Sequence, residues 1–159
     1  MKKKNINIEY STYDSIECLN SKEQQLINEA IKAAENAYAP YSKFKVGAAL
    51  LLENDQIITG SNQENAAYPS GLCAERVALF YAGAKYPNTA IKNMVIVSIK
   101  DGELVKKIVA PCGACRQVIN ETAHRHKKSF PLILAGKQGV IKIDNANNLL
   151  PLAFGPEDL

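Results

Sequence analysis

The stretch Cys73-Ala74-Glu75-Arg76 is the most informative part of the chain, together with a second cysteine motif, Pro111-Cys112-Gly113-Ala114-Cys115-Arg116-Gln117. Three thiolates and one open coordination position describe a zinc ion that binds a water molecule and activates it, because a structural zinc site normally has four protein ligands. Glu75, two residues after the first cysteine, is the candidate proton carrier for that water. The two motifs therefore favour a zinc enzyme over a structural zinc protein.

Each motif is predicted to begin a helix. The chain is interrupted by Pro69-Ser70-Gly71 just before Cys73, and residues 74–81 are rich in helix formers. Pro111 precedes a second predicted helix over residues 112–123. A helix amino end favours negative charge, so both positions lower thiol pKa values and support the thiolate form that zinc requires.

Two arginines directly follow motif residues and are candidates to tune the sulfurs. Three thiolates and Zn²⁺ sum to a net charge of about −1, which weakens the metal as a Lewis acid. Arg76 and Arg116 are predicted to donate hydrogen bonds to the sulfurs and so to withdraw electron density from them.

The second motif alone is compatible with other chemistry. Cys112 and Cys115 have the spacing of a redox dithiol or of half a structural zinc site. Cys73 favours the catalytic interpretation, because a redox pair needs no third thiol at another helix start. Cys18 as a fourth ligand would close the site, and that alternative stays open at this stage.

The rest of the chain alternates helical and extended patterns. Ser21 and Gln24 form a capping-box start for a helix whose apolar residues repeat at helical spacing until Pro40. Strands are predicted at residues 46–52, 56–59, 94–99, 132–135 and 140–143, and a short helix at residues 146–150. This order predicts an α/β protein with three layers, α/β/α, around a mixed central sheet.

The amino-terminal segment is predicted to be an extension. Residues 1–20 precede a single predicted domain over residues 21–159. Ile6, Ile8 and Tyr10 alternate in the extended pattern and predict a short strand in this extension.

Composition and charge exclude several classes of function. The 159 residues carry a formal net charge of +3, and the lysines are scattered apart from short clusters, so no basic stripe predicts nucleic-acid binding. No stretch reaches the roughly 18 consecutive apolar residues of a membrane span, and the basic start lacks the apolar run of a signal peptide. We expect a cytoplasmic protein whose motif cysteines bind metal rather than form disulfides.

The sequence resembles the cytidine deaminases of the small homotetrameric, three-cysteine type. The resemblance runs from about Ser21 to the end of the chain and implies a cytidine-deaminase-like fold. It rests on the two cysteine motifs and on Tyr38-Ala39-Pro40-Tyr41-Ser42-Lys43-Phe44, Val46-Gly47-Ala48-Ala49, Asn62-Gln63-Glu64-Asn65-Ala66-Ala67-Tyr68 and Leu152-Ala153-Phe154.

The resemblance implies a metal site and a catalytic residue. Zn²⁺ would be bound by Cys73, Cys112 and Cys115. Glu75 would carry a proton from the attacking water to the pyrimidine N3 and then to the leaving amine, the chemistry general to zinc deaminases of bases.

The resemblance also implies substrate contacts. Asn62 and Glu64 would hold the ribose hydroxyls, and Phe44 would pack on the pyrimidine ring. Phe154 would enter the site of a neighbouring subunit of a homotetramer.

The expected function is zinc-dependent hydrolytic deamination of cytidine and deoxycytidine to uridine and deoxyuridine, as in pyrimidine salvage. A blasticidin-S-type antibiotic deaminase, a non-enzymatic zinc-binding protein and a nucleic-acid deaminase are the alternatives. Arg76 with the pair Asn62 and Glu64 favours the nucleoside enzyme over the antibiotic enzyme. Glu75 has no role in merely holding zinc, which argues against the non-enzymatic alternative.

Overall fold

The fold is a mixed β-sheet with three α-helices. The computed structural model describes residues 1–159. The helices are α1 (Ser21–Glu35), α2 (Ala74–Lys85) and α3 (Gly113–His126). The strands are β1 (Ser11–Tyr13), β2 (Lys45–Leu52), β3 (Ile57–Ser61), β4 (Ile91–Lys100), β5 (Glu103–Leu104), β6 (Leu132–Gly136) and β7 (Gly139–Ile143).

The strands form one sheet in the order β1-β7-β6-β4-β2-β3, with β5 paired to β4. Strands β4 and β6 are parallel, because α3 lies in the connection between them, whereas the β2–β3 and β6–β7 hairpins are antiparallel. The mixed central sheet predicted from the order of elements is confirmed.

Helices cover both faces of the sheet. On one face, Leu26 and Ile27 of α1 pack with Val95 and Val97 of β4. On the other face, α2 and α3 pack on the alternate residues of β4, which include Ile96. Strand β4 is apolar on both faces because it is buried on both, so the three-layer α/β/α prediction is confirmed.

Two glycines set how closely the helices approach the β2–β3 hairpin. A Cβ atom at Gly47 would lie 2.0 Å from the carbonyl oxygen of Ala30 in α1. A Cβ atom at Gly60 would lie 2.6 Å from the carbonyl oxygen of Ala74 at the start of α2. The missing side chain at Gly60 therefore fixes the position of the first turn of α2 against β3.

The amino-terminal strand is displaced from its predicted position. Ile6, Ile8 and Tyr10 lie in no helix or strand, and the strand falls instead at residues 11–13, where Tyr13 pairs with Val140 of β7. The prediction was wrong because alternation alone does not say which residues find a partner strand. Residues 11–13 of the predicted extension are thus part of the central sheet.

Two boundaries of α1 also differ from the prediction. Its N-cap is Asn20, whose side chain accepts a hydrogen bond from the backbone N–H of Glu23 at 3.0 Å, so Ser21 is already helical. The helix ends at Glu35, five residues before Pro40, because the next residues turn into the loop that leads to β2. None of the three helices has the length and apolarity needed to span a bilayer.

Candidate active site

Three cysteine sulfurs meet at one point of the structure. The Sγ atoms of Cys73, Cys112 and Cys115 all lie within 4.8 Å of one another. Cys112 Sγ is 3.9 Å from Cys73 Sγ and 3.4 Å from Cys115 Sγ. A tetrahedral zinc with Zn–S bonds of about 2.3 Å separates its sulfurs by about 3.8 Å, so this donor set fits zinc. Cys18 is exposed and lies outside the group.

The local sequence brings the sulfurs together through two helix starts. Cys73 is the N-cap of α2 and Cys112 is the N-cap of α3, as the interrupting residues before each motif predicted. Cys115 lies three residues further along α3, so its side chain stacks over that of Cys112 on the same helix face. Cys115 is fully buried, whereas Cys112 is exposed.

Burial works against ionisation of the metal-free thiols. It raises the pKa of Cys73, with the Arg76 contact acting in the opposite direction. Burial and then the nearby carboxyl of Glu75 raise the pKa of Cys115 strongly. Burial also opposes ionisation of Cys112, but its pKa is lowered by the backbone N–H of Cys115 and the neighbouring thiols. Three thiolates can therefore coexist here when a bound cation compensates their charge, as a divalent metal does.

The two arginines have different partners. Arg76 Nη2 donates to Cys73 Sγ at 3.8 Å, as predicted for a residue that withdraws electron density from the sulfur. Arg116 donates to no sulfur, so the prediction that it forms a hydrogen bond with a cysteine of the site was wrong. Its Nε donates to the carbonyl of Pro111 at 2.9 Å and its Nη1 to the carbonyl of Leu149 at 3.1 Å, because its side chain reaches along α3 to the residues beyond β7.

Glu75 lies next to the thiols in the first turn of α2. It is one of four buried polar or charged residues, with 5% of its surface exposed. Burial raises the pKa of this carboxyl above its ordinary value. A higher pKa makes it easier for a carboxyl to take up a proton, which suits a group that acts as general acid and base.

A cavity of about 300 Å³ is lined by two of the three clustered cysteines, by Glu75 and by most of the predicted substrate-binding residues. This inner cavity shares four of its lining residues with an adjacent cleft of about 420 Å³ beside Tyr41, Tyr68 and Arg76. The inner cavity is lined by Ser42, Phe44, Val46, Asn62, Glu64, Cys73, Glu75, Ile96, Ser98, Val109, Ala110 and Cys112. Its size and its few convergent polar groups are typical of a small-molecule site.

Asn62 and Glu64 shape the wall shared by the cavity and the cleft. The Asn62 amide accepts from the backbone N–H of Val46 at 2.7 Å and donates to the carbonyl of Phe44 at 3.0 Å. One carboxylate oxygen of Glu64 accepts from the backbone N–H groups of Tyr41 and Ser42 at 2.9 and 3.3 Å. The Ser42 hydroxyl donates to its other oxygen and is the main reason why the pKa of Glu64 is lowered.

The two predicted aromatic contacts lie in different places. Phe44 lines the inner cavity, as do Val46, Cys73 and Cys112. Phe154 does not line it, and 58% of its surface is exposed. The carbonyl of Phe154 accepts a hydrogen bond from Gln117 Nε2 at 2.9 Å, which attaches the carboxyl-terminal tail to α3.

The prediction from sequence missed two serines of the cavity. Ser42 orients Glu64 as described, and Ser98 projects its side chain into the lining from β4. Ser98 carried a signal in the sequence, because it is a polar residue within an otherwise apolar strand pattern. Ser42 carried no such signal in the sequence, since its role depends on the approach of Glu64, which lies 22 positions further along the chain.

The α/β/α fold, the cysteine group and the buried glutamate beside it define a zinc enzyme. The family model for the cytidine and deoxycytidylate deaminase zinc-binding region matches residues 20–129. A cytidine deaminase of Halalkalibacterium halodurans is 43% identical over 136 residues, which are 86% of this chain and 96% of the relative. A cytidine deaminase of Sporosarcina psychrophila is 45% identical over 136 residues, which are 86% of this chain and 93% of that relative.

A solved structure supports the same relationship. The crystal structure of cytidine deaminase from Burkholderia pseudomallei is 41% identical, with a TM-score of 0.69, over 86% of this chain and 100% of that chain. The chain belongs to the cytidine and deoxycytidylate deaminase family. The predicted family, its fold and its zinc cofactor are thereby confirmed, and the protein is an enzyme.

Proposed function

We propose that this enzyme hydrolyses cytidine and deoxycytidine to uridine and deoxyuridine, with release of ammonia. One observation carries the proposal. The inner cavity collects two of the three clustered thiols, Glu75 and the polar pair Asn62 and Glu64 within one space of about 300 Å³. A site that combines reacting groups with hydrogen-bonding groups in one space suits a nucleoside, which has a reactive base and a hydroxylated sugar.

The metal and Glu75 divide the chemistry at the base. Zinc, when bound by Cys73, Cys112 and Cys115, supplies the Lewis acid that activates water for attack at C4 of the pyrimidine. Glu75 takes the proton of the attacking water on its carboxylate and delivers it to N3. The proton of the new C4 hydroxyl then passes through the same carboxyl to the amine at C4, and the C–N bond breaks to give ammonia as the C4 carbonyl forms. Burial of Glu75 supports this role, because it raises the pKa of the carboxyl and so favours proton uptake from the attacking water.

Glu64 is suited to sugar recognition. Its pKa is lowered, first by the Ser42 hydroxyl, so the carboxylate stays ionised and can accept hydrogen bonds from ribose hydroxyls. Asn62 fixes the strand ends around it through its bonds to Val46 and Phe44. Phe44 supplies an apolar wall for the pyrimidine ring. A nucleoside analogue that lacks the sugar hydroxyls would leave the Glu64 carboxylate with fewer partners and bind less well.

The alternatives receive less support. The relatives reported above are all cytidine deaminases, which disfavours a blasticidin-S-type enzyme. Retention of Glu75 in a buried position beside the thiols argues against a protein that only holds zinc. The scattered lysines give no track for a nucleic-acid strand.

The proposal is tested by the loss of cytidine absorbance with the zinc-loaded chain, with blasticidin S in a parallel reaction. Turnover of cytidine and deoxycytidine with slow or no reaction of blasticidin S is the expected result. A preference for blasticidin S would replace the proposal by the antibiotic alternative.

We also propose that the enzyme is a homotetramer in which Phe154 completes the site of a neighbouring subunit. The tail supports this idea because Leu152 and Phe154 are 94% and 58% exposed, although both are large apolar residues. Phe80 and Tyr81 on α2 are likewise about half exposed. Burial of these side chains against another subunit would remove apolar surface from water.

The unpaired cysteines support a reducing, cytoplasmic location.

A further inference from the structure

One polar side chain of the cavity lining forms no hydrogen bond within the protein. Ser98 is 1% exposed, and its Oγ has no hydrogen-bond partner. Ser98 is also among the residues that line the inner cavity, together with Ile96, Glu75 and Cys112. Buried hydroxyl groups nearly always have a partner, because an unpaired one costs stability.

The position of Ser98 follows from the pleat of β4. Met94, Ile96 and Ser98 alternate along the strand, so they point to the same face, and the first two pack in the core under α2 and α3. Ser98 pairs in register with Val46 of β2, which is partly buried against that core. An apolar side chain would therefore continue the pattern, and packing gives no reason for a hydroxyl here.

The other neutral hydrogen-bonding side chains of the cavity already have partners. Asn62 uses its oxygen for Val46 and its nitrogen for Phe44. The Ser42 hydroxyl donates to Glu64 and accepts from the backbone N–H of Phe44 at 3.0 Å. Among the serine and asparagine side chains of the lining, Ser98 is left free to bind a guest in the cavity.

We propose that Ser98 is a substrate-binding residue whose hydroxyl forms a hydrogen bond with a polar atom of the pyrimidine base. This inference rests on the proposed function, since it takes the guest to be a cytosine nucleoside. A hydroxyl both donates and accepts, so Ser98 can serve an amino group of the substrate and a carbonyl group of the product without a change of structure. This hydrogen bond would satisfy a polar atom of the base that is buried on binding, and a buried polar atom without a partner would weaken binding.

The test compares Ser98→Ala with the unchanged chain, both loaded with zinc. We expect the midpoint of thermal unfolding to stay the same or rise, because the substitution removes an unpaired buried hydroxyl. The zinc content stays the same. The dissociation constant of uridine, measured by calorimetry, and the KM for cytidine each rise about tenfold, as loss of a buried hydrogen bond predicts.

Ser129→Ala is the matched control. The Ser129 hydroxyl donates to Asn145 Oδ1 at 2.6 Å, outside the cavity, so its removal lowers the unfolding midpoint and leaves both uridine affinity and KM unchanged. A Ser98→Ala protein with lower stability and unchanged uridine affinity would show a structural role and overturn the inference. Absence of cytidine turnover in the unchanged chain would overturn the proposed function. Normal turnover there with an unaltered KM in Ser98→Ala would overturn the Ser98 inference alone.

Discussion

Arg76 Nη2 lies 3.8 Å from Cys73 Sγ, within the first turn of α2. Arg116 follows Cys115 as Arg76 follows Glu75, but its guanidinium is bound to the carbonyls of Pro111 and Leu149 instead. The two arginines are therefore not equivalent. One donates to a sulfur, and the other ties the loop before α3 to the residues after β7.

Substitution separates these two roles. We expect Arg76→Gln to keep its zinc and its stability but to lose about tenfold in kcat, because Cys73 then donates more electron density to the metal. We expect Arg116→Gln to lower the free energy of unfolding by about 2 kcal/mol, since two hydrogen bonds from a charged group are lost. Denaturant titration and steady-state kinetics measure both effects. Equal losses of stability in the two variants would contradict the distinction.

Zinc retention depends on the three clustered thiols. We expect Cys73→Ser to lose most of its zinc, because an alcohol rarely replaces a thiolate as a zinc ligand. Cys18→Ser serves as the control and keeps one zinc per chain, since Cys18 is exposed and outside the cluster. Elemental analysis of the purified proteins gives the metal content. Full retention in Cys73→Ser, or loss in Cys18→Ser, would contradict the assignment of ligands.

Glu75→Gln tests proton transfer. The amide keeps the shape of the side chain but cannot carry a proton, so turnover falls by about 10²- to 10⁴-fold while zinc is retained. Glu121→Gln on the exposed surface of α3 is the control and leaves turnover unchanged. Steady-state rates and metal content are measured on the same preparations. Near-normal turnover in Glu75→Gln would remove it from the mechanism, and loss of zinc would make it a ligand.

Gly60→Ala tests the approach of α2 to the sheet. The new Cβ would lie 2.6 Å from both the carbonyl oxygen of Ala74 and the backbone nitrogen of Ala78, so α2 must shift. We expect a loss of about 1–3 kcal/mol in stability and weaker zinc retention, because the same turn carries Cys73. Gly113→Ala is the control, since no atom lies within 4 Å of its new Cβ. Unchanged stability and zinc content in Gly60→Ala would refute the argument.

Removal of residues 151–159 tests the role of the tail. We expect a higher KM for cytidine together with weaker assembly, because Phe154 serves both a pocket and an interface in the proposed tetramer. Phe154→Ala should reproduce most of the change in KM with the tail otherwise intact. Sedimentation velocity and kinetics are the measurements. A fully active monomer would refute the tetramer, and an unchanged KM would refute the role in the pocket.

Much of the site could be predicted from sequence because it is encoded locally. Cys73 and Cys112 lie at helix starts that the neighbouring residues predict, and Glu75 lies within one turn of Cys73. The direction of the Arg116 side chain could not be predicted, since it depends on where Leu149 lies after folding. Ser98 stands out as a polar residue in an apolar strand pattern, but its place in the cavity could not be predicted, because it depends on what surrounds the residue across the sheet.

The first strand was misplaced for a different reason. Alternating apolar residues predict an extended backbone but not the partner strand that stabilises it. Residues 11–13 form the strand because they are the residues that pair with β7. The partner is specific: a Cβ at Gly139 would lie 2.5 Å from the carbonyl oxygen of Tyr13, so the close approach depends on a glycine in β7. No local pattern around Ile6 records that requirement.

This short amino-terminal strand has a consequence for solubility. β1 lies at one end of the sheet and covers β7, whose outer N–H and C=O groups would otherwise form an open edge. Open edges pair readily with strands of other molecules. A chain shortened past Tyr13 would therefore present β7 for intermolecular pairing and aggregate more readily, even though the zinc site and its cavity are built from residues that begin 29 positions later in the sequence.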